Sequence, residues 1–341
     1  MGWKAAGLGL VISAASLSLA VRQVRPAETA ASLLGARPAF LLLSIALLLV
    51  AVAVRSWRWQ VLLRLTERVS FGGAVSATLI GYLVNSVLPG RVGELVRAYL
   101  ISQSDGVSTG RAVGTIFVEK LLDIVVLLLL LGVVAWRVPL PEWAAQGATA
   151  AAAASGAAAL AFLTLARSRD AVAAWLRARL DPVPGMRRLD LPGFSERALG
   201  AADGLAKPLP LLSQLTLSIA VWAVSAGAVY AVMHALSLPL PATAAVLVLA
   251  LTNLGMAVPS APAYVGVYHL LATETLQLYG IDRSAALSYA LAMHAMTYGV
   301  FVIGGLAFMW RHRYGLADLR WRRRRAPLPL EGAAHHRRPA G

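Results

Sequence analysis

Three charged side chains follow one another at three-residue intervals in LPGRVGELVR (residues 88–97), namely Arg91, Glu94 and Arg97. On a helix that begins at Pro89, neighbours in this series lie within ion-pairing reach. Proline suits a first helical turn, and the free backbone N–H groups there favour an anion. An arginine beside such a terminus is suited to bidentate phosphate binding, while Glu94 can orient it or pair with Arg97. The spacing predicts a phosphate site, with a purely structural ion-pair network as the alternative.

A second charged group lies in FVEKLLDIVV (residues 117–126), inside a segment that is otherwise apolar. Glu119, Lys120 and Asp123 are spaced so that all three can face one groove. Burying them against lipid would be costly, so we expect their partners to be the two arginines of the preceding motif. The predicted substrate-binding cluster therefore consists of Arg91, Glu94, Arg97, Glu119, Lys120 and Asp123.

The composition indicates that these charges belong to a membrane protein. Of 341 residues, 58% are hydrophobic, and the mean hydropathy of +0.68 is too high for a soluble domain of this length. The net charge of +15 arises mostly between apolar segments, where it indicates topology and contact with anionic inner-leaflet lipids rather than nucleic acid. The absence of cysteine excludes disulfides and thiolate chemistry. No D-x-D or H-E-x-x-H motif occurs, and we expect no metal, cofactor or catalytic residue.

Apolar runs of about 20 residues predict six full transmembrane helices and an all-α, polytopic fold. The first run is interpreted as retained, because bulky Val21 and polar residues replace a small-x-small cleavage site. The predicted spans lie near residues 5–21, 39–54, 112–135, 145–166, 211–236 and 285–310.

Basic residues predict the orientation of these spans. The segment 167–210 and the tail 311–341 are rich in arginine, so both are expected in the cytoplasm, with the protein in the inner (plasma) membrane and both termini inside. Within 167–210, AVAAWLRARL and FSERALGAADGL predict amphipathic helices on the inner leaflet, with a solvated basic loop as the alternative. The tail is expected to be disordered.

Two further apolar regions, 71–105 and 242–282, are interrupted and predict re-entrant hairpins. The stretch 92–105 measures about 21 Å as a helix, against about 30 Å of hydrocarbon. The two hairpins also resemble each other, since PGRVG in the first matches PAYVG in the second, and a glycine and an alanine follow each at nearly equal spacing. Chance similarity is the alternative. The predicted tip residues are Asn85, Pro89, Gly90, Gly93, Asn253, Pro259, Ser260, Pro262 and Gly266.

With the predicted topology, the two hairpins open to opposite sides of the membrane. The halves, about 39–135 and 211–310 of a single domain 1–310, therefore form an inverted repeat, an arrangement typical of secondary transporters. By the repeat spacing, His294 is the counterpart of Lys120. His294 and His269 can add polar groups to the site, although a packing role is the favoured interpretation for a lone helical histidine.

LPGRVGELVR, then EKLLD, then PSAPAYVG together resemble the lysylphosphatidylglycerol synthase transmembrane-region family, also called flippase-like membrane proteins. The resemblance covers residues 5–310 and has two departures, Lys120 in place of the usual arginine and Ala263 in place of the usual glycine. The positions that match the family motif are Pro89, Gly90, Arg91, Gly93, Glu94, Arg97, Glu119, Asp123, Pro259, Ser260, Pro262 and Gly266.

The resemblance implies movement of a lipid with a polar or phosphate-bearing head group between leaflets, without a synthase domain. The expected partners are a membrane phospholipid or lipid-linked substrate, and either a second copy of the chain or a lipid-modifying enzyme. Two alternatives stay open. One is a membrane-embedded transferase acting on a polyprenyl-phosphate or other lipid-linked sugar, and the other is a non-transporting accessory subunit.

Overall fold

The computed structural model describes residues 2–311, apart from 66, 89, 184, 185, 187–189, 206 and 259, with side chains from residue 7 onward. These residues form thirteen α-helices and no strand, so the all-α prediction is confirmed for them. The predicted tips Pro89 and Pro259, and the tail beyond Arg311, lie outside the described residues. The helices are α1 Gly2–Val21, α2 Pro26–Leu34, α3 Pro38–Arg64, α4 Phe71–Val87, α5 Val92–Asp105, α6 Thr109–Ala135, α7 Glu142–Arg167, α8 Arg169–Leu180, α9 Leu191–Leu199, α10 Pro208–Ala235, α11 Ala242–Gly255, α12 Val267–Gln277 and α13 Arg283–Arg311, and short 3₁₀ segments occupy Gly200–Leu205 and Pro262–Tyr264.

Four of the described helices, α3, α7, α10 and α13, are long and apolar enough to cross a membrane. Residues of α1 and α2 form a fifth candidate that is bent by 85°. Helix α6 has 27 residues and thus the length of a crossing, but three charged residues lie in its middle, and it is not among the four candidate spans. The chain therefore has the helices of a multi-pass membrane protein, while the number of six full crossings stays a prediction.

Helices α3 and α10 pack along each other in opposite directions. At one end, the backbone N–H of Arg37, just before α3, donates to the carbonyl of Ala235, the last residue of α10, at 2.8 Å. At the other end, Leu65, just after α3, lies against Gly204, shortly before α10. The start of each helix is therefore beside the end of the other.

The two interrupted regions each form a pair of short helices, α4 with α5 and α11 with α12. In the first pair, α5 occupies the 14 residues that the sequence predicts, and the backbone N–H of Ser70 before α4 donates to the Asp105 carboxylate at 2.7 Å. The arms of the two pairs are about 17–26 Å long, shorter than a hydrocarbon core of about 30 Å. Both pairs thus have the dimensions of re-entrant hairpins.

The two hairpin tips share an uncommon backbone and touch each other. Gly90 and Ala263, which are equivalent in the two motifs, have φ values of 80° and 57°, and the next residues, Arg91 and Tyr264, have 55° and 57°. Left-handed backbone is rare for residues with a side chain, so this match is specific. Arg91 Nε donates to Tyr264 Oη at 3.0 Å. In a two-fold repeat, equivalent residues can touch only next to the symmetry axis. The contact between Arg91 and Tyr264 would therefore lie beside the axis of the predicted repeat.

Packing between helices follows the same symmetry. Helix α4 packs against α13 and α11 packs against α6, while α5 packs on α6 and α12 packs on α13. In the predicted repeat, α3, α4, α5 and α6 correspond to α10, α11, α12 and α13. The contact of α4 with α13 then corresponds to that of α11 with α6, and the contact of α5 with α6 corresponds to that of α12 with α13. Because α3 and α10 are antiparallel, the hairpins that follow them start from opposite ends of the molecule. The predicted inverted repeat would have this geometry, and the repeat itself stays a prediction.

Smaller helices brace the outside of each half. Helix α9 packs against α6 and α8, and a side chain at Gly110 or Gly114 would collide with the α9 backbone, so this contact is close. At the opposite end, Thr29 Oγ1 of α2 donates to the carbonyl of Ser284 at 3.3 Å. Asp282 there accepts the Ser284 backbone N–H, which lowers the pKa of its carboxyl. The amphipathic stretches predicted in 167–210 are helical, as α8, α9 and the 3₁₀ segment.

Candidate functional site

A cavity of about 500 Å³ lies between the two hairpins and is lined by nine helices. Its size falls in the range of ligand-binding pockets, and most of its wall is apolar. Helix α7 forms one side with small residues that include Ala151, Ser155 and Ala158. The charged residues on the wall are Arg55, Arg91, Glu94, Lys120 and Asp123.

Glu119 is the centre of a buried ion-pair network directly behind this wall. Its two carboxylate oxygens accept from Arg58 Nη2 at 2.8 Å and from Arg97 Nη2 at 2.9 Å. The Arg97 guanidinium also stacks 3.7 Å from the Trp59 ring. All three charged side chains are at most 1% exposed, so water cannot stabilise them, and each depends on the others for compensation.

Asp123 extends the network from the buried region to the cavity. It accepts from Arg58 Nη1 at 2.6 Å, from Trp222 Nε1 at 3.1 Å and from Arg55 Nη1 at 3.2 Å. Ser218 of α10 accepts a second bond from Arg58 Nη1 at 2.7 Å. Arg55 is 14% exposed, lines the cavity and lies 5.0 Å from the Trp222 ring. Its Nε and Nη2 donate to no described residue, so two donors remain available.

Glu94 and Lys120 form a second ion pair on the cavity wall. Lys120 Nζ lies 3.0 Å from Glu94 Oε1, and Arg97 Nη1 lies 3.9 Å from the other oxygen of Glu94. Lys120 is 32% exposed, which leaves its ammonium group accessible from the cavity. The prediction that Glu94 pairs with Arg97 agrees with this geometry.

Arg91 occupies a different place from the one that the sequence predicted. Helix α5 begins at Val92 rather than Pro89, and Arg91 is its N-cap in a left-handed conformation. The backbone N–H of Gly93 donates to Asn85 Oδ1 at 2.7 Å, so the helix terminus is partly satisfied from within the hairpin. The predicted pairing of Arg91 with Glu119 and Asp123 is wrong. Arg91 instead donates to Tyr264 Oη and to the Met256 carbonyl, both at 3.0 Å.

The second hairpin and α13 contribute a wall of aromatic rings. His294 stacks on Tyr298 with ring centroids 4.3 Å apart, and Tyr268 lies 5.5 Å from His294. The His269 ring is 4.7 Å from His294, and His269 Nδ1 accepts from the Gly266 backbone N–H at 3.4 Å. His294 and Lys120, which are equivalent in the predicted repeat, both line the cavity. His269 has the packing role that the sequence favoured, whereas His294 is part of the wall.

Three further predicted tip residues, Asn253, Ser260 and Gly266, contact their own helix or α1 and make no described bond to the ion-pair network. Asn253 donates to the Leu249 carbonyl of its own helix, and Gly266 lies against the Ser13 carbonyl of α1. Ser260 lies against Gly9 of α1, and its hydroxyl is buried without a partner among the described residues. Among those residues, no three histidine or carboxylate side chains converge to hold a metal ion. Every carboxylate of the cavity is paired with a cation instead.

Sequence reasoning missed Arg55 and Arg58, which bind Asp123 and Glu119. The predicted span ended at residue 54, so both arginines were assigned to a flanking segment. Helix α3 in fact continues to Arg64. Their three-residue spacing in RSWRWQ, beside two tryptophans, is the signal that would have indicated a buried arginine pair.

Comparison with known proteins agrees with this architecture. Residues 7–305 match the family described as lysylphosphatidylglycerol synthase TM region. The chain is also 26% identical over 337 residues to the protein named Glycosyltransferase AglD from Haloferax volcanii, a match that covers 88% of this chain and 53% of that protein. The chain therefore spans about half the length of this curated relative. No solved structure matches the chain significantly.

Proposed function

The chain belongs to the lysylphosphatidylglycerol synthase transmembrane-region family, and from that premise we propose that it moves a lipid with a phosphate-bearing head group between the two leaflets of a membrane. The observation that carries the proposal is an excess of positive charge around the cavity. Five cations surround three carboxylates that are already paired, so an anionic head group is the ligand that compensates the remaining charge. The cations are Arg55, Arg58, Arg91, Arg97 and Lys120, and the carboxylates are Glu94, Glu119 and Asp123.

Arg55 is the residue that we expect to bind the phosphate. Its two unused donors and its position on the wall suit a bidentate contact with phosphate oxygens. Asp123 holds the guanidinium in place when the cavity is empty, and Arg58 and Trp222 keep Asp123 compensated when Arg55 turns to the ligand. Lys120 and Arg91 supply further positive charge on the same wall.

The arrangement of the hairpins supports a path from one leaflet to the other. Each hairpin starts from a different end of the molecule, and their tips meet beside the cavity through Arg91 and Tyr264. Movement of one half against the other would open the cavity to each side in turn, as in transporters built from inverted repeats. Helix α7 is the wall that faces outward, and its small side chains leave room for the lipid tail.

A transferase acting on a lipid-linked sugar is the second candidate, and the similarity to Glycosyltransferase AglD favours it. The matched region covers only 53% of that protein, so its named activity does not carry over with the match. If a carboxylate acts as the base of such a transferase, it must be free to accept a proton. Glu94, Glu119 and Asp123 are each bound to a cation, which suits a binding site better than a catalytic one.

The arginine-rich segment 167–210 and the tail 311–341 support the proposed orientation in the membrane. We place the protein in the plasma membrane as one domain of two halves, with both termini in the cytoplasm and residues 167–210 against anionic lipid heads. A second copy of the chain or a lipid-modifying enzyme is the proposed protein partner. An accessory subunit without transport would share the fold but would leave the cavity unused.

Reconstitution of the full chain in liposomes tests the proposal. Fluorescent phosphatidylglycerol and polyprenyl phosphate are placed in one leaflet, and their appearance in the other is followed by quenching with a membrane-impermeant reductant. The wild-type protein should accelerate exchange over protein-free liposomes, and Arg55→Leu should return it to background. Arg179→Leu is the matched control, because it removes the same charge from an exposed face of α8.

The outcomes separate the three functions. Exchange that persists in Arg55→Leu would contradict the assignment of the phosphate to the cavity. A new glycolipid formed from polyprenyl phosphate and a nucleotide sugar, without exchange, would identify a transferase. If neither lipid exchange nor a new glycolipid is observed, the accessory role is the function that remains.

A further inference from the structure

We propose that the aromatic wall of the cavity is a glycosyl subsite, so that the phosphate-bearing head group carries a neutral sugar. This inference rests on the proposed function, because the same cavity binds the phosphate. The subsite consists of rings from α12 and α13 together with amide groups near the two hairpin tips.

The rings form a continuous group along the lining of the cavity. Tyr298 stacks on His294 and lies 5.9 Å from Phe301, which in turn lies 4.5 Å from Tyr82 of the first half. Tyr268 extends the surface on the far side of His294. The C–H face of a sugar ring packs on such aromatic faces, while a flexible acyl chain needs no ordered rings and finds its apolar surface elsewhere in the cavity.

Polar groups that line the same cavity match the hydroxyl groups of a sugar. His294 Nδ1 is buried and has no partner among the described residues. Asn85 uses its carbonyl oxygen to accept from Gly93, which leaves its NH₂ group, and Asn253 donates to Leu249, which leaves its carbonyl oxygen. The wall therefore offers both donors and acceptors, and each hydroxyl of a sugar can act as either. An unglycosylated phosphate would leave these groups without a ligand.

The charge of the cavity lining, three cations and two carboxylates, disfavours a cationic head group beside this wall. Aromatic rings also bind ammonium groups, but arginine already lies over two rings that border this wall, Arg91 at 5.8 Å from Tyr264 and Arg55 at 5.0 Å from Trp222. A further cation would be repelled by these guanidinium groups and by Lys120 across a medium of low dielectric constant. A neutral sugar meets no such repulsion.

Binding to the full chain in phosphatidylcholine nanodiscs tests the inference with three probes. They are a short-chain polyprenyl phosphate, the same prenol as a phosphoglucose, and lysylphosphatidylglycerol as a cationic head group. Wild type should bind the phosphoglucose about tenfold more tightly than the bare phosphate. Tyr298→Leu should reduce this ratio to about one, whereas Tyr298→Phe, which keeps the ring, should retain it. Arg55→Leu should weaken both polyprenyl probes and preserve their ratio.

The other possible binding results would overturn the glycosyl subsite. If the two polyprenyl probes bind wild type equally, or if lysylphosphatidylglycerol binds more tightly than the phosphoglucose, the glycosyl subsite is overturned while phosphate binding stands. A preference for phosphoglucose that survives in Tyr298→Leu places the sugar elsewhere and also overturns the subsite. If neither polyprenyl probe binds, the subsite is overturned, and the proposed function then depends on the exchange of phosphatidylglycerol in the liposome assay. Thermal unfolding of each variant confirms that the folded protein is being compared.

Discussion

Two arginines one turn apart on α3 have different physical tasks. Arg58 is fully buried between Glu119 and Asp123, and its removal would leave two carboxylates with insufficient compensation in a medium that stabilises neither. Arg55 faces the cavity and shares only Asp123, which Arg58 and Trp222 also bind. Stability therefore depends on Arg58, and ligand binding depends on Arg55.

This difference predicts opposite phenotypes for the same substitution. Arg58→Leu should lower the free energy of unfolding by about 3–5 kcal/mol, because it strands buried carboxylates. Arg55→Leu should change stability by about 1 kcal/mol, the net value of a typical hydrogen bond, because Asp123 keeps Arg58 and Trp222 as donors, and it should abolish lipid exchange. Thermal unfolding in detergent and the liposome assay measure the two effects. Equal destabilisation by both variants would contradict the assignment of separate tasks.

The sequence predicted the acidic half of this cluster better than the basic half. Glu119 and Asp123 interrupt an apolar run, so their burial and need for partners follow from periodicity alone. Which arginine meets which carboxylate depends on how helices distant in the chain pack together, and this placed Arg58 of α3 where Arg91 was expected. Arg91 was misassigned because α5 begins at Val92, three residues later than predicted.

At the scale of elements, the first hairpin depends on backbone contact between its two arms. A Cβ on Gly81 would meet the Gly93 carbonyl, and a Cβ on Gly93 would meet the Gly81 carbonyl, so neither helix can shift without losing the close approach. Arg97 lies one turn beyond Gly93, and its Cβ lies beside Gly81. The glycine pair thus sets the position from which Arg97 reaches Glu119.

Gly93→Ala should therefore destabilise the protein by about 1–3 kcal/mol, as expected for overpacking against backbone. Gly132→Ala in α6 is the matched control, because a Cβ there meets open space, and it should be neutral or stabilising by about 0.5–1 kcal/mol. Thermal unfolding of both variants provides the comparison. If Gly93→Ala is as stable as Gly132→Ala, the arms are not held by this contact.

Helix α7 provides a second prediction at this scale, because only one of its faces meets the cavity. Ser155→Leu should narrow the path for the lipid and slow exchange, since Ser155 lines the cavity. Ala157→Leu, two residues away on an exposed face, should leave exchange unchanged. Both variants are compared in the liposome assay at equal protein density. Equal rates would mean that α7 does not border the path.

Element boundaries were largely predictable from the sequence. The 14 residues of α5 and the helices of the basic segment agree with their apolar pattern and their glycine and proline signals. The bend of 85° between α1 and α2, and the continuation of α3 past its apolar core, were not predicted. Both depend on tertiary contacts, since α1 packs on α12 and α3 packs on α10.

At the scale of the whole molecule, two halves of opposite direction enclose one cavity. The antiparallel α3 and α10, the exchangeable packing of the other core helices, and the contact between equivalent tip residues all follow the same two-fold relation. The external helices break that relation, because α1 and α2 brace the second half while α8 and α9 brace the first. This asymmetry suits a protein in which one half moves more than the other.

The central claim is that two re-entrant hairpins enter the membrane from opposite sides and meet at the cavity. Single-cysteine labelling with a membrane-impermeant maleimide tests it directly, because the chain contains no cysteine of its own. Ser70→Cys and Ser237→Cys, at the bases of the two hairpins, should react only from the cytoplasmic side and only from the outside, respectively. Leu88→Cys and Val258→Cys, near the tips, should react slowly. Labelling of both bases from one side, or rapid labelling of Leu88→Cys from the outside, would contradict the account.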